Sequence, residues 1–272
     1  MSGFAGQVAW ITGASSGIGA ALARELSTRG AAIVLSGRDT ARLEQVAGDL
    51  AGEHLILPFD VRDEAAMTKA THEAVQWRGH IDSFVANAGV SQRSLAQDTA
   101  MIVYREIIDI DLTAQIAATQ ALLPHLIARR AGRLVFISSI AGKVGVPLRT
   151  AYCAAKHGLI GYADALRAEL SPHGVAVHVV CPGSVATDVS RNALTADGSR
   201  RGYSDSAIDN GIPPADAARE IVESIVAGKR EIIVARGAEQ AMGEARRTPD
   251  AVFDQMARMM AEGYARKMQG ER

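Results

Sequence analysis

Cysteine is scarce in this chain: Cys153 and Cys181 are the two among 272 residues. Two cysteines make no disulfide framework, and their spacing matches no metal cluster, so no metal site is expected. Both read as reduced, packed thiols, with Cys153 within reach of alkylating agents because it adjoins Tyr152. Charge of one sign is missing too. Lys and Arg number 29 against 30 Asp and Glu, a net of −1 without basic or acidic blocks. Nothing there points to nucleic acid or to an anionic membrane surface. No uncharged apolar stretch approaches the ~20 residues of a membrane span, and no signal peptide is recognisable. The expectation is a soluble, unexported, cytoplasmic protein. Linkers and internal repeats are also missing, which leaves residues 1–272 as a single domain.

What is present is a hydrophobic content of 48%, enough for a sizeable core. Apolar runs with strand character fall at 7–12, 31–36, 54–59, 81–86, 133–138, 175–181 and 231–235. Helical stretches lie near 17–29, 39–51, 63–77, 100–130, 150–171 and 214–227. Such alternation predicts an α/β fold, a doubly wound parallel sheet of about seven strands flanked by helices. Two segments stand outside the pattern. Residues 184–213 are rich in Ser, Asp, Arg and Gly and end at a proline pair. Residues 236–272 form an extension, with an amphipathic helix expected over about 249–268 on Val252, Met256, Met259, Met260 and Tyr264.

Tyr152 and Lys156 are four residues apart on an expected helix and so share a face. A free phenol titrates near pH ~10, and a neighbouring ammonium favours the phenolate. The pair can therefore act as a general acid/base. Ser139, thirteen positions before Tyr152, offers a hydroxyl to a carbonyl oxygen, with Ser138 as an alternative. Near the N-terminus an apolar strand runs into Thr12-Gly13-Ala14-Ser15-Ser16-Gly17-Ile18-Gly19 and then a helix. Glycines at such a turn admit a pyrophosphate to the backbone, and the helix N-terminus favours its charge. The spacing is GxxxGxG.

Taken together, the glycine turn, Asn87-Ala88-Gly89, Ser139, Tyr152-x-x-x-Lys156 and Pro182-Gly183 resemble the classical short-chain dehydrogenase/reductase family. The resemblance runs from about residue 6 to 235 and implies a Rossmann-type sheet. It implies a dinucleotide held by Gly13, Ser15, Ser16, Gly17, Ile18 and Gly19, with Asp60 and Val61 at the adenine and Asn87, Ala88 and Gly89 at its ribose. Asp60 equally suits a cap on the next helix, as does Asp63. Pro182, Gly183, Val185 and Thr187 would fix the nicotinamide, and Tyr152 and Lys156 would also meet cofactor. Gly37 stands where an acid selects NAD, and Arg38 follows it. A guanidinium there suits a 2′-phosphate, with neutral bonds from Ser15 or Ser36, so NADP is expected and NAD is the alternative.

The implied activity is hydride transfer between a carbonyl compound and a secondary alcohol. Tyr152 would exchange the proton, Ser139 would hold the oxygen, and Lys156 would tune Tyr152 and bind the ribose. Where the family has an Asn in a long central helix, this chain has Asp111, which keeps the backbone carbonyl but favours the Lys156 ammonium. A shifted pH–rate profile is expected. The substrate pocket should draw on Val90, Gln92, Arg93, Lys143, Val144, Pro147, Arg149, Val189, Asn192 and Tyr203, with Arg200 and Arg201 nearby. Residues 192–211 resemble a subgroup acting on lipid-like or steroid ketones. A homodimer or homotetramer is the family's default. The rivals are an NAD-dependent alcohol dehydrogenase, a non-catalytic NADP(H) sensor, and an extended-family epimerase or dehydratase, which the glycine spacing disfavours.

Overall fold

A computed structural model describes residues 3–264. Seven parallel strands form one sheet in the order β3-β2-β1-β4-β5-β6-β7: β1 Val8–Thr12, β2 Ala32–Gly37, β3 His54–Pro58, β4 Ser83–Ala86, β5 Gly132–Ile137, β6 Val175–Pro182 and β7 Glu231–Val234. Side chains alternate across a strand, and here both faces are covered, so every residue of β1 is buried. Val8 and Trp10 join one core cluster while Ala9 and Ile11 join another. The first cluster packs beneath α3 Glu64–Arg78, α5 Ala114–Arg129 and α6 Thr150–Leu170. The second packs beneath α1 Gly17–Thr28, α2 Thr40–Gly48 and α8 Pro214–Val226.

Strand order reverses between β1 and β4, where Ala9, Trp10 and Ile11 pair with Ser83, Phe84 and Val85. In an open parallel sheet this switch point leaves a crevice at the carboxyl ends of the strands. Short polar residues start the helices that leave it. Asp39 accepts from Arg42 N at 3.1 Å to begin α2, and Asp63 accepts from Ala66 N at 2.9 Å to begin α3. Asp63 therefore makes the cap for which Asp60 was also eligible.

The helix expected over 100–130 is interrupted. It divides into α4 Met101–Ile108, a π turn at Asp109–Thr113, and α5. Such a wide turn disturbs the backbone ladder, and the Gln115 amide donates to Ile110 O at 2.9 Å. The same amide nitrogen donates to Ala88 O at 2.8 Å, which ties the turn to the end of β4.

The extension also differs from expectation. Its described residues form two helices, α9 Gly237–Ala245 and α10 Asp250–Ala261; residues 265–272 lie outside the described residues, as does that part of the helix expected over 249–268. Phe253, rather than Val252 or the methionines, is the buried anchor of α10, with the Arg167 guanidinium 4.2 Å over its ring. A short α7 Ser206–Asp209 lies within the 184–213 segment. Among the described residues, no helix is long and apolar enough to cross a membrane.

Candidate active site

The crevice at the switch point is a cavity of about 460 Å³. The glycine turn closes one end, and each glycine has its own reason. Gly13 has φ +63°, and a Cβ there would stand 2.8 Å from Ala88 Cα. Gly17 has φ +54° beside Thr187. Gly19 does not line the cavity; a Cβ on it would lie 2.4 Å from Gly13 O and 2.5 Å from Asn87 Nδ2, so it serves the packing behind the turn. Asn87 Nδ2 donates to Thr12 O at 2.9 Å and Gly13 O at 3.1 Å, joining β1 to β4 across the reversal.

Of the other expected cofactor residues, Ser15, Ser16, Ile18, Arg38, Asp60, Val61, Ala88, Gly89, Pro182, Gly183 and Val185 line the cavity. Arg42 lines it as well, one turn into α2, and was not foreseen. Ser36 is unavailable. Its hydroxyl is fully buried and accepts from Trp10 Nε1 at 2.9 Å. Arg62 clasps Asp60 at 2.7 and 3.0 Å, and that bond holds the carboxyl below its ordinary range. Arg38 stays 3.9 Å from Asp60 and half exposed.

At the other end α6 presents Tyr152 and Lys156, and its start is fixed by Gln92, whose Oε1 accepts from Ala151 N at 2.8 Å. Lys156 Nζ donates to Ile137 O at 3.1 Å and lies 3.0 Å from Asp111 Oδ2 and 5.6 Å from the Tyr152 ring centroid. Asp111 is fully buried on the π turn, and its Oδ1 accepts from Val90 N at 2.7 Å. Gly89 makes room for this pair, because a Cβ there would meet Asp111 Oδ2 at 3.0 Å and Lys156 Nζ at 3.3 Å.

Ser138 and Ser139 separate cleanly. Ser138 Oγ donates to Lys156 O at 3.0 Å and braces the helix. Ser139 Oγ accepts from Ala141 N at 3.1 Å and donates to Pro182 O at 3.4 Å.

The electrostatics qualify the expected tuning. Burial pushes the Tyr152 phenol above its ordinary value; Lys156 pulls it down, Asp111 pushes it up, and the Ser139 hydroxyl pulls it down. The net direction is upward, so the lysine moderates the burial without overcoming it. Burial works against the Lys156 ammonium, but Asp111 and Tyr152 outweigh it and hold the lysine above its ordinary value. Burial raises Asp111, opposed by Lys156 and the Val90 amide.

The substrate end is only partly as expected. Val90, Val189 and Asn192 line the cavity, and so do Leu194, Arg200 and Ile208. Gln92 is buried as a helix anchor. Lys143 is buried 2.9 Å from Glu231. Arg93 and Arg149 reach Asp205 at 2.7 and 3.7 Å, and Arg201 pairs with the same carboxylate. Val144 packs on the core, Pro147 lies outside the cavity lining, and Tyr203 points outward beneath Arg201. Cys153 is buried, and its Sγ accepts from Val146 N at 3.3 Å, so the expected reach for alkylating agents does not hold. A larger, more open hollow of about 660 Å³ between α1 and α8 shares Gly17 and Thr187 but none of Ser139, Tyr152 or Lys156.

The cavity fits a nicotinamide dinucleotide by its own features. The glycine backbone lies bare, α1 begins without a side-chain cap, and hydroxyls and guanidiniums sit at one end with a Tyr–Lys pair at the other.

Comparison with known proteins agrees. The profile of the family described as short chain dehydrogenase matches residues 7–198. Dehydrogenase/reductase SDR family member 7B of Danio rerio is 37% identical over 238 residues, covering 84% of this chain and 77% of that protein. A metagenomic short-chain oxidoreductase crystallised with NADP is 31% identical with a TM-score of 0.71, covering 86% of this chain and 98% of its own. A short-chain dehydrogenase/reductase from Burkholderia phymatum in complex with NAD is similar in fold, with a TM-score of 0.77 at 22% identity over 85% of this chain and 89% of its own. With its parallel sheet, dinucleotide cleft and relatives named as dehydrogenases, this chain belongs to the short-chain dehydrogenase family and is an NAD(P)-linked oxidoreductase.

Proposed function

We propose that this enzyme interconverts a carbonyl compound and a secondary alcohol with NADP(H), using Ser139, Tyr152 and Lys156. The observation that carries the reading is the meeting of this trio with the glycine turn and Arg38 in one cleft. The bound dinucleotide supplies or receives the hydride. Ser139 holds the substrate oxygen by a hydrogen bond as charge develops on it. Tyr152 gives its proton to that oxygen in reduction and takes it back in oxidation. Lys156, held as an ammonium by Asp111, favours the phenolate and would donate to the ribose of a bound dinucleotide.

Arg38 just after β2 and Arg42 in the first turn of α2, with no acid at Gly37, support the 2′-phosphate. Asp39 is 3.5 Å from Arg42 and draws on that guanidinium, which leaves Arg38 as the principal selector. The apolar Val90, Val189, Leu194 and Ile208 suit a hydrophobic carbonyl substrate. The family resemblance extends the proposal to a homodimer or homotetramer, and sedimentation velocity checks it.

Titration with NADPH and with NADH, followed by cofactor fluorescence, tests the cofactor assignment. A charge-assisted phosphate bond predicts NADPH tighter by about tenfold or more. Equal or tighter NADH binding favours the alternative, an NAD-dependent alcohol dehydrogenase.

A further inference from the structure

Beyond residue 198, where the family profile ends, α9 places a carboxylate against the segment that follows β6. Ser184 N donates to Glu239 Oε2 at 2.7 Å, and Ser184 Oγ donates to Glu239 Oε1 at 2.8 Å. Both carboxylate oxygens are thus engaged by one residue 55 positions earlier in the chain. Ser184 does not line the cavity, but its neighbours Pro182, Gly183 and Val185 do. The grip therefore acts from behind on the stretch proposed to meet the nicotinamide.

Gly183 is fitted to this grip. A Cβ on it would stand 2.3 Å from Glu239 Oε2 and 3.0 Å from Ala235 Cβ. The glycine is needed for the close approach of the carboxylate and owes nothing to a left-handed backbone. On its other side the segment meets the proposed oxyanion donor, because Ser139 Oγ donates to Pro182 O at 3.4 Å. α9 also packs directly on the turn after Ser139: Gly243 is so close to Ile140 that a Cβ would lie 2.7 Å from Ile140 Cδ1. One short helix thus braces both walls of the reactive end.

We propose that Glu239 is a positioning residue, holding residues 182–185 at the depth that seats the nicotinamide beside Ser139. The inference rests on the cofactor reading above. Charge-assisted bonds of this length are about twice as strong as neutral ones, and a small displacement of a reacting group costs up to about a hundredfold in rate.

The test compares wild type with Glu239→Ala and Glu239→Gln. NADPH is titrated beside 2′-phospho-ADP-ribose, which lacks only the nicotinamide, and exchange of the Ser184 amide proton is followed without cofactor. Glu239→Ala should exchange that proton at least tenfold faster. It should also bind NADPH about tenfold more weakly while holding 2′-phospho-ADP-ribose as wild type does. Glu239→Gln, which keeps an acceptor for Ser184 N, should recover most of both. Unchanged exchange in Glu239→Ala overturns the proposal, and so does an equal loss of the two ligands, which would mark general unfolding. Failure of wild type to bind NADPH overturns the cofactor reading itself, whereas normal wild-type binding with an unaffected alanine variant overturns the role of Glu239 alone.

Discussion

At the scale of single residues, the Asp111–Lys156 pair is where this chain departs from its family pattern. Two nearly inaccessible groups lie 3.0 Å apart, the carboxylate favours the Lys156 ammonium, and either charge would be costly alone. Removing one partner of a buried pair costs about 3–5 kcal/mol, so Asp111→Ala should lower the melting temperature clearly. Asp111→Asn keeps the shape and removes the charge. Asp111 pushes the Tyr152 phenol upward, so losing that carboxylate should let the phenolate form at lower pH. The rising limb of the pH profile for alcohol oxidation should therefore move to lower pH in Asp111→Asn. A profile that coincides with wild type would show that the carboxylate is a bland substitute. Arg38 carries the other residue-scale prediction. Arg38→Asp should weaken NADPH binding by about tenfold or more and leave NADH unchanged or improved. Equal losses for both cofactors would remove Arg38 as selector.

At the scale of elements, two ionic ties fix the segments around the cleft. Lys143 follows the Ser139 turn and pairs with Glu231 at the start of β7, while Thr248 N donates to Glu231 Oε2 at 3.2 Å just before α10. Lys143→Met leaves Glu231 buried and unpaired and should destabilise by about 3–5 kcal/mol in chemical denaturation. Adding Glu231→Gln should return a good part of that loss; no recovery would mean that the pair is not the cause. The second tie is Asp205 among Arg93, Arg149 and Arg201, which fastens the 184–213 segment over the cleft. Burial opposes its charge, but Arg201, Arg93 and Ser190 outweigh it and hold the carboxyl well below the usual carboxylate range. A lowered folded-state pKa gives stability that is present above the unfolded value of about 3.9 and is lost as pH falls through the lowered one. Asp205→Asn should thus speed proteolysis within 184–213 at neutral pH, and wild type should show that loosening only in strong acid.

These ties explain why Lys143, Arg93 and Arg149 were misplaced from sequence as pocket residues. Their type and position suit a pocket wall, but their carboxylate partners come from distant stretches that no local pattern connects. The π turn escaped for a similar reason. Asp109-Ile110-Asp111 continues a helical composition, and the Gln115 side chain that compensates the turn is an ordinary helix residue.

At the scale of the whole molecule, the parallel sheet was legible because both of its faces are buried. Its strands read as continuous apolar runs, separated by stretches that helices must fill. The candidate site, as a set of residues lining one cavity, was legible where backbone demands single out a residue type, as at Gly13 and Gly17, or where spacing on one helix suffices, as for Tyr152 and Lys156. Arg42 and Glu239 were not, because their roles depend on the register between elements. The fold sets the glycine turn at the end of β1, the proposed nucleotide site, opposite the proposed proton-transfer pair on α6, and the distance between them is fixed by the sheet. That placement, more than any one side chain, is the argument for hydride transfer.

The most direct test is Tyr152→Phe, assayed over a panel of hydrophobic carbonyl compounds with cofactor binding measured in the same preparations. The account predicts that wild type oxidises NADPH with at least one of them. The variant should bind NADPH within about twofold of wild type yet lose at least a hundredfold in turnover, in keeping with the ~10²–10⁴ that a positioned acid/base contributes. Undiminished turnover in Tyr152→Phe, or NADPH binding by wild type without turnover of any compound, would contradict it, the latter result pointing to the non-catalytic sensor.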